Sequence, residues 1–331
     1  MTSPVILVTG GAGYIGSHTA LALKESGYDV VVFDNLSHGH RDLVEQVLNV
    51  PLIIGDIADN NLLQKTMTEY KINAVMHFAA NAYVRESVHE PSKYYLNNVV
   101  NSLSLLEVMQ SLSINKIVFS STCATYGIPE TIPIYETEVQ SPITPYGRSK
   151  RMVEEIIKDY ETAYGLKFII FRYFNAAGAD PACRLGEDHV PETHLIPLLL
   201  QVVAGKREYI EIYGDDYDTP DGTCIRDYIH VCDIAEAHVL GLKKLLQTEE
   251  SNIYNLGNDR GFSIQEIIQA TEKITACKIP IRIAKRHPGE PQKLVGSADK
   301  ARKELGWLPR YKNIEQIIEH AYAWYKTRNL N

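Results

Sequence analysis

The chain of 331 residues has little of what marks secreted, membrane-bound or nucleic-acid-binding proteins. Its five cysteines, Cys123, Cys183, Cys224, Cys232 and Cys277, share no paired spacing and no zinc-type cluster, which excludes a disulfide framework and fits the reduced thiols of a cytoplasmic protein. No apolar run approaches the ~20 residues of a membrane span. No charged, apolar, small-residue leader precedes the first apolar run, so no secretory signal is expected. Lys and Arg, 33 in all, are outnumbered by 41 Asp and Glu, and no basic block stands out, so nucleic acid gains no support as a partner. His230, His238 and Asp233 have no known ligand spacing; their order fits a helix start capped by Asp233, and no metal is expected. No internal repeat or low-complexity tract is present.

What the chain does have begins near its N-terminus. An apolar run, Val5 to Val8, stops at Thr9-Gly10-Gly11-Ala12-Gly13-Tyr14-Ile15-Gly16, and the period then turns helical through Ala20, Leu21 and Leu23. Strand, glycine turn and helix start, in that order, are the context of a dinucleotide-binding fingerprint. Gly10 makes the tight turn, Gly13 admits a pyrophosphate and Gly16 lets helix and strand pack closely, while the helix N-terminus offers unpaired N–H groups. The next run, Val30 to Phe33, ends on Asp34, where an acid binds ribose hydroxyls and repels a 2′-phosphate, favouring NAD over NADP. The plainer reading of Asp34 is an acid that opens a loop.

Further along, Thr144-Pro145-Tyr146-Gly147-Arg148-Ser149-Lys150 precedes helix-period positions Met152, Val153, Ile156 and Ile157. Thr144 suits an N-cap and Pro145 the first helical position, which sets Tyr146 and Lys150 one turn apart on one face. Tyrosine, with a free pKa of roughly 10, is a poor base. A lysine ammonium, the positive helix end and a nicotinamide cation would each favour the phenolate, so the pair reads as a tunable proton acceptor. The apolar run Lys116 to Thr122 ends in hydroxyls, and at the carboxyl end of a parallel strand Thr122 can bond a substrate hydroxyl beside Tyr146.

Short apolar runs at Val30 to Asp34, Pro51 to Gly55, Ala74 to Phe78, Lys116 to Ser121 and Lys167 to Phe171, each spaced by room for a helix, predict a doubly wound parallel sheet. From about Asp180 to Asp227, prolines and glycines break the pattern, as a smaller lobe would. A helix is predicted from Asp233 through Leu246, a further strand from Asn252 to Gly257, and a last helix from Ile314 to Tyr325.

Gly10 to Gly16, Asp34, Ser120-Ser121-Thr122, Tyr146 with Lys150, Arg172-Tyr173-Phe174-Asn175 and Arg226-Asp227-Tyr228-Ile229-His230-Val231, in this order over nearly the whole chain, resemble the extended short-chain dehydrogenase/reductases. Within them the chain is most similar to the 4-epimerases that interconvert UDP-glucose and UDP-galactose. The resemblance implies a Rossmann-type α/β fold with a smaller, interleaved substrate domain. Residues 1–175 would bind NAD, with 228–258 returning to them; 176–227 and 259–331 would bind the UDP-sugar. It also implies a cytoplasmic homodimer, for which Ser92 to Ser111 and Pro145 to Tyr164 offer suitable helices.

The resemblance extends the cofactor set to Tyr14, Ile15 and Asn35, to Asp56 and Ile57 at the adenine, to Phe78, Ala79 and Ala80 along phosphates and ribose, and to Asn98 and Tyr173. On the substrate side it implies Asn175 at the sugar nucleotide, Leu195 and Tyr213 around uracil, and Arg226 on the diphosphate, which a planar guanidinium can grip twice. A local ion pair with Asp227 is the alternative for Arg226. Glu290 replaces an aspartate that holds the uridine ribose. His287 stands where an arginine is usual, with Arg286 as its replacement. Ala82 stands where a lysine is common, with Arg85 nearby to offset it. Leu294 leaves the size of the sugar pocket open.

The implied chemistry is reversible inversion at C4 of a UDP-hexose through a 4-keto sugar. Tyr146 takes the 4-hydroxyl proton, Thr122 bonds that hydroxyl, and Lys150 tunes the phenol over a resident NAD. UDP-arabinose/UDP-xylose enzymes share Ala80-Asn81-Ala82-Tyr83-Val84 and Cys123-Ala124-Thr125-Tyr126-Gly127, so a UDP-pentose is an alternative substrate, as is a UDP-N-acetylhexosamine. A 4,6-dehydratase would carry Asp-Glu after Thr122, where Cys123 and Ala124 stand. A non-catalytic NAD-binding regulator would have no use for Thr122, Tyr146 and Lys150 together.

Overall fold

Seven short apolar runs become the strands of one parallel sheet: β1 Val5–Thr9, β2 Asp29–Asp34, β3 Leu52–Ile54, β4 Ala74–His77, β5 Lys116–Thr122, β6 Lys167–Tyr173 and β7 Asn252–Leu256. The computed structural model describes residues 3–286 and 290–329. Side chains alternate between two buried faces. Ile6, Val8, Val30 and Val32 enter one core, and Leu7, Val31 and Phe33 the other. Burial on both faces is why these runs read as continuously apolar.

The strand order is β7-β6-β5-β4-β1-β2-β3, so the direction of winding reverses between β1 and β4. Ile6 pairs with Val30 on one side and Ala74 on the other. In such Rossmann-type sheets a crevice opens at the carboxyl ends of the strands beside the reversal. Helices Tyr14–Glu25, Asn60–Glu69, Asn101–Ser111, Pro145–Tyr164 and Val231–Thr248 cover the two faces. The stretch from Ser92 to Ser111 is helical in three pieces, the middle one, Tyr95–Val100, being a wider π-type turn.

The remaining chain forms the smaller lobe. Helices Leu195–Val203, Ile264–Thr275 and Ile314–Asn329 bury Leu199, Ile267, Ile317 and Ile318 among themselves. Strand Ile210–Tyr213 runs parallel to Ile281–Ala284, and Ile225–Arg226 lies between Phe262–Ser263 and Lys293–Leu294. Among the described residues no helix is long and apolar enough to cross a membrane.

One predicted cap is corrected. His230, not Asp233, caps helix Val231–Thr248, its Nδ1 accepting the N–H of Cys232 at 3.1 Å. Asp233 lies in the first helical turn, and its buried carboxylate accepts the N–H groups of Arg310 and Tyr311, both at 2.9 Å. His238 Nδ1 turns to the Ile234 carbonyl and His230 Nε2 faces His320, so these three side chains do not converge on one point.

Candidate active site

A cavity of about 760 Å³ lies at the carboxyl ends of the strands, walled by the glycine turn, the ends of β2, β4 and β5, the start of helix Pro145–Tyr164, and the smaller lobe. Gly10 has φ +73°, and a Cβ there would sit 2.6 Å from the Ala79 nitrogen. A Cβ on Gly16 would meet the Gly10 carbonyl oxygen at 2.1 Å, so both glycines are demanded by the packing of turn, strand and helix. Gly13 differs: its Cβ would meet only the Gly10 oxygen, at 3.4 Å, and the position faces the cavity. Helix Tyr14–Glu25 carries no side-chain cap, leaving its first N–H groups available to an anion.

Asp34 fixes this turn from the end of β2. Its Oδ2 accepts the Ala12 N–H at 2.9 Å and its Oδ1 that of Leu36 at 2.8 Å; burial raises its pKa against these bonds. The Tyr14 hydroxyl donates to the Gly178 carbonyl at 2.7 Å, joining the turn to the loop after β6. Ile15, Asn35, Ile57, Phe78, Ala79 and Ala80 line the same cavity.

Helix Pro145–Tyr164 starts as its sequence dictates, with Thr144 accepting the Gly147 N–H at 3.2 Å and Pro145 in the first turn. Tyr146 and Lys150 then both face the cavity, beside Thr122. Lys150 Nζ donates to the Ser120 carbonyl at 2.9 Å and lies 4.9 Å from the centre of the Phe119 ring. The hydroxyls of Ser120 and Tyr173 are hydrogen-bonded, and Tyr173 also lines the cavity.

Burial works against both charged forms of the Tyr146–Lys150 pair. Burial pushes the Tyr146 phenol well above its ordinary value, Tyr173 adds to the rise, and the Thr122 hydroxyl works against it. Burial also pushes Lys150 down to about 7, with the Glu154 charge opposing. Desolvation penalises both charged forms, so the polypeptide alone does not favour a phenolate–ammonium pair.

On the opposite wall, Arg226 Nη2 donates to Glu290 Oε1 at 3.1 Å and Nη1 to the Ile225 carbonyl. Asp227 is not its partner. It is buried, accepts the N–H groups of Asn258 and Gly296, and is pushed by burial up to about 8. Asn175, Leu294 and Pro291 complete this wall.

Residues 6–257 match the NAD dependent epimerase/dehydratase family. The chain belongs to that family. It is 50% identical over 321 residues to a UDP-glucose 4-epimerase of Halalkalibacterium halodurans, spanning 97% of this chain and 95% of the relative. A UDP-glucose 4-epimerase of Streptococcus mutans is 50% identical over 324 residues, 97% of each chain. Among solved structures, the fold matches UDP-glucose 4-epimerase from Brucella ovis in complex with NAD at a TM-score of 0.94 and 47% identity, over 97% of this chain and 98% of that one. The enzyme of Bifidobacterium longum in complex with NAD+ and UDP matches at 0.93 and 38%, over 99% of both.

Not every residue suggested by resemblance to the epimerase family lines the cavity. Asp56 is turned aside, accepting from Asn35 Nδ2 at 2.8 Å and the Ala58 N–H at 2.9 Å. Asn98 is buried behind the wall, bonded to both backbone groups of Asn81 and to Ser149. Leu195 packs against the core of the smaller lobe, and Tyr213 lies outside the cavity under Arg85, whose guanidinium is 4.2 Å from its ring centre. Arg85 itself lines the cavity, as does Ala82. Arg286 does not take the role expected of it: it pairs with Asp216 and stacks on Tyr217 at 3.8 Å. His287 lies outside the described residues.

Sequence reasoning overlooked several wall residues. Ser37 and His38 lie three and four residues past Asp34, and their place in that loop was signal enough. The Ser120 carbonyl, which holds Lys150, carries no side-chain signal at all. Glu187, His189 and His194 reach the wall from a proline-broken segment that sequence periodicity could not place.

Proposed function

We propose that this protein is an NAD-dependent isomerase that interconverts UDP-glucose and UDP-galactose by inversion at C4 through a 4-keto sugar. The observation that carries the reading is one cavity in which Thr122, Tyr146 and Lys150 stand over a dinucleotide turn, with Arg226 and Glu290 on the far wall. The turn fits NAD: the Gly13 position is open toward the cavity, the helix N-terminus is uncapped, and Asp34 is set to meet ribose hydroxyls. An oxidised nicotinamide held there would supply a reversible acceptor for the C4 hydride of the sugar and a positive charge beside the phenol.

The chain's own residues do the rest. Tyr146 takes the proton of the 4-hydroxyl, which Thr122 orients by a hydrogen bond. Lys150, held by the Ser120 carbonyl, faces the same space and favours the phenolate whenever it is charged. Arg226 grips the diphosphate, Glu290 the uridine ribose, and Asn175 the sugar side. With the nucleotide end held, the keto sugar turns over and Tyr146 returns the proton.

The division of labour proposed is cofactor binding by 1–175 with 228–258, and substrate binding by 176–227 with 259–331. The cytoplasm is the proposed compartment, in keeping with five free cysteines. A homodimer is proposed through Ser92–Ser111 and Pro145–Tyr164, where Leu96, Val100 and Met152 expose apolar side chains. Sedimentation at the mass of one chain would remove that assembly.

The direct test incubates purified protein with UDP-galactose, without added NAD, beside UDP-N-acetylgalactosamine and UDP-arabinose. UDP-glucose should form from UDP-galactose at the highest rate. Tyr146→Phe should lower kcat by ~10²–10⁴-fold while leaving NAD bound. Unchanged turnover in that variant would overturn the assigned base.

A further inference from the structure

The segment from 187 to 194 runs along the cavity wall into helix Leu195–Val203, and the proposed reaction uses none of its side chains. Glu187, His189, Glu192 and His194 each contribute one donor atom to a cluster in which all four atoms lie within 4.8 Å of one another. His194 Nδ1 is 2.6 Å from Glu187 Oε1 and 3.1 Å from Glu192 Oε1. His189 Nδ1 is 3.2 Å from Glu187 Oε1 and 4.0 Å from Glu192 Oε2. The two carboxylate side chains are only 6% and 4% exposed, and among the described residues neither forms a salt bridge to lysine or arginine.

Two imidazole nitrogens with two carboxylates form a mixed N/O set that suits zinc. At metal–ligand distances of ~2.0–2.2 Å, tetrahedral donors stand about 3.3 Å apart, within the range observed between these atoms. A protonated His194, 2.6 Å from Glu187 Oε1 and 3.1 Å from Glu192 Oε1, offsets one of the two nearly buried carboxylate charges, whereas a divalent ion in place of its proton offsets both. The donors are held in place by their surroundings. Glu192 Oε1 accepts the N–H groups of Thr193 and His194 at 2.7 and 2.8 Å, and the His189 ring stands edge-on to Tyr14 and Tyr83 at 6.2 and 6.1 Å.

We propose that Glu187, His189, Glu192 and His194 form a zinc site in the cavity wall. All four positions come from the protein, which makes the site a structural one with no place for a metal-bound water. It would staple the loop that passes Tyr14 of the glycine turn to the start of helix Leu195–Val203, and so set the separation of the two walls.

The test uses the full chain, stripped with a chelator and titrated with Co²⁺ and then Zn²⁺. About one Co²⁺ per chain should bind with the visible absorption of a tetrahedral site and be displaced by Zn²⁺, and Zn²⁺ should raise the melting temperature. Glu192→Gln and His189→Asn, each checked for folding by circular dichroism, should weaken binding by more than ~10-fold, the loss that follows even when an outer partner of a metal ligand is removed. No visible Co²⁺ band in the wild-type protein overturns the proposal, whatever the variants do. Wild-type binding retained in folded variants overturns it equally. Neither readout involves turnover, so the result stands apart from the proposed epimerase activity.

Discussion

Arg172 and Glu154 form a buried two-pronged ion pair, Nη2 to Oε2 at 2.6 Å and Nε to Oε1 at 3.0 Å, between β6 and the helix that carries Tyr146 and Lys150. Their side chains are 3% and 0% exposed. Ser121 donates to Glu154 at 2.5 Å, Gln140 does so at 3.0 Å, and Arg172 Nη1 reaches the Tyr126 hydroxyl at 3.0 Å. Glu154 stands one turn beyond Lys150, so the pair fixes the rotation of the helix face that turns Lys150 toward the cavity.

Breaking the pair from one side should therefore be severe. Arg172→Met leaves Glu154 buried without a counter-charge, a loss of ~3–5 kcal/mol, whereas Arg172→Met combined with Glu154→Leu should recover part of it. Urea midpoints of the two variants test this. A single variant as resistant as wild type would show that the pair does not hold the helix.

Lys150 sets a pH dependence. Its folded pKa is about 7, against 10.5 ordinarily, with burial as the cause. Between those values the unfolded chain binds the extra proton, so stability rises with pH; the penalty is full below pH 7 and relieved toward 10.5. Relative to Lys150→Met, cofactor-stripped wild-type protein should gain roughly 3 kcal/mol between pH 7 and pH 9.5. Parallel melting profiles for the two proteins would contradict the assignment.

The glycines separate folding from cofactor binding. Gly13→Ala meets only the Gly10 carbonyl oxygen, at 3.4 Å, so it should leave stability within ~0.5 kcal/mol of wild type and reduce the NAD that copurifies. Gly10→Ala, strained at φ +73° and crowded by Ala79, should lose both. Melting temperatures and absorbance ratios after gel filtration distinguish the two outcomes.

Arg226→Gln removes a charged donor from the wall facing Tyr146. A charge-assisted hydrogen bond contributes ~1.5–3 kcal/mol, so KM for UDP-galactose should rise roughly 10–100-fold with kcat changed little. Steady-state kinetics decide it. An unaltered KM would release Arg226 from the diphosphate.

The glycine turn, Asp34, Thr122 and the Tyr146–Lys150 pair were legible because in each case the chemistry lies within one strand end or one helical turn. Arg226 was legible as a cation but not in its partner. Asp227, the residue after strand Ile225–Arg226, turns into the interior while Arg226 faces the cavity, and Glu290 arrives from 64 residues away. Asp56 reads as a strand-end acid, yet a neighbouring asparagine captures it. The raised phenol of Tyr146 was hidden for another reason: sequence names the charges near a group but not the solvent it loses.

The grip of Asp233 on the backbone of Arg310 and Tyr311 moors the late part of the chain to a helix lying on the main sheet. Trp307, buried and donating to the Asp233 carbonyl, tightens that mooring. A protease nick between β7 and Trp307 would thus leave two pieces still clasped together. Prising them apart would strand a carboxylate in the interior without its donors, so the two pieces should melt together.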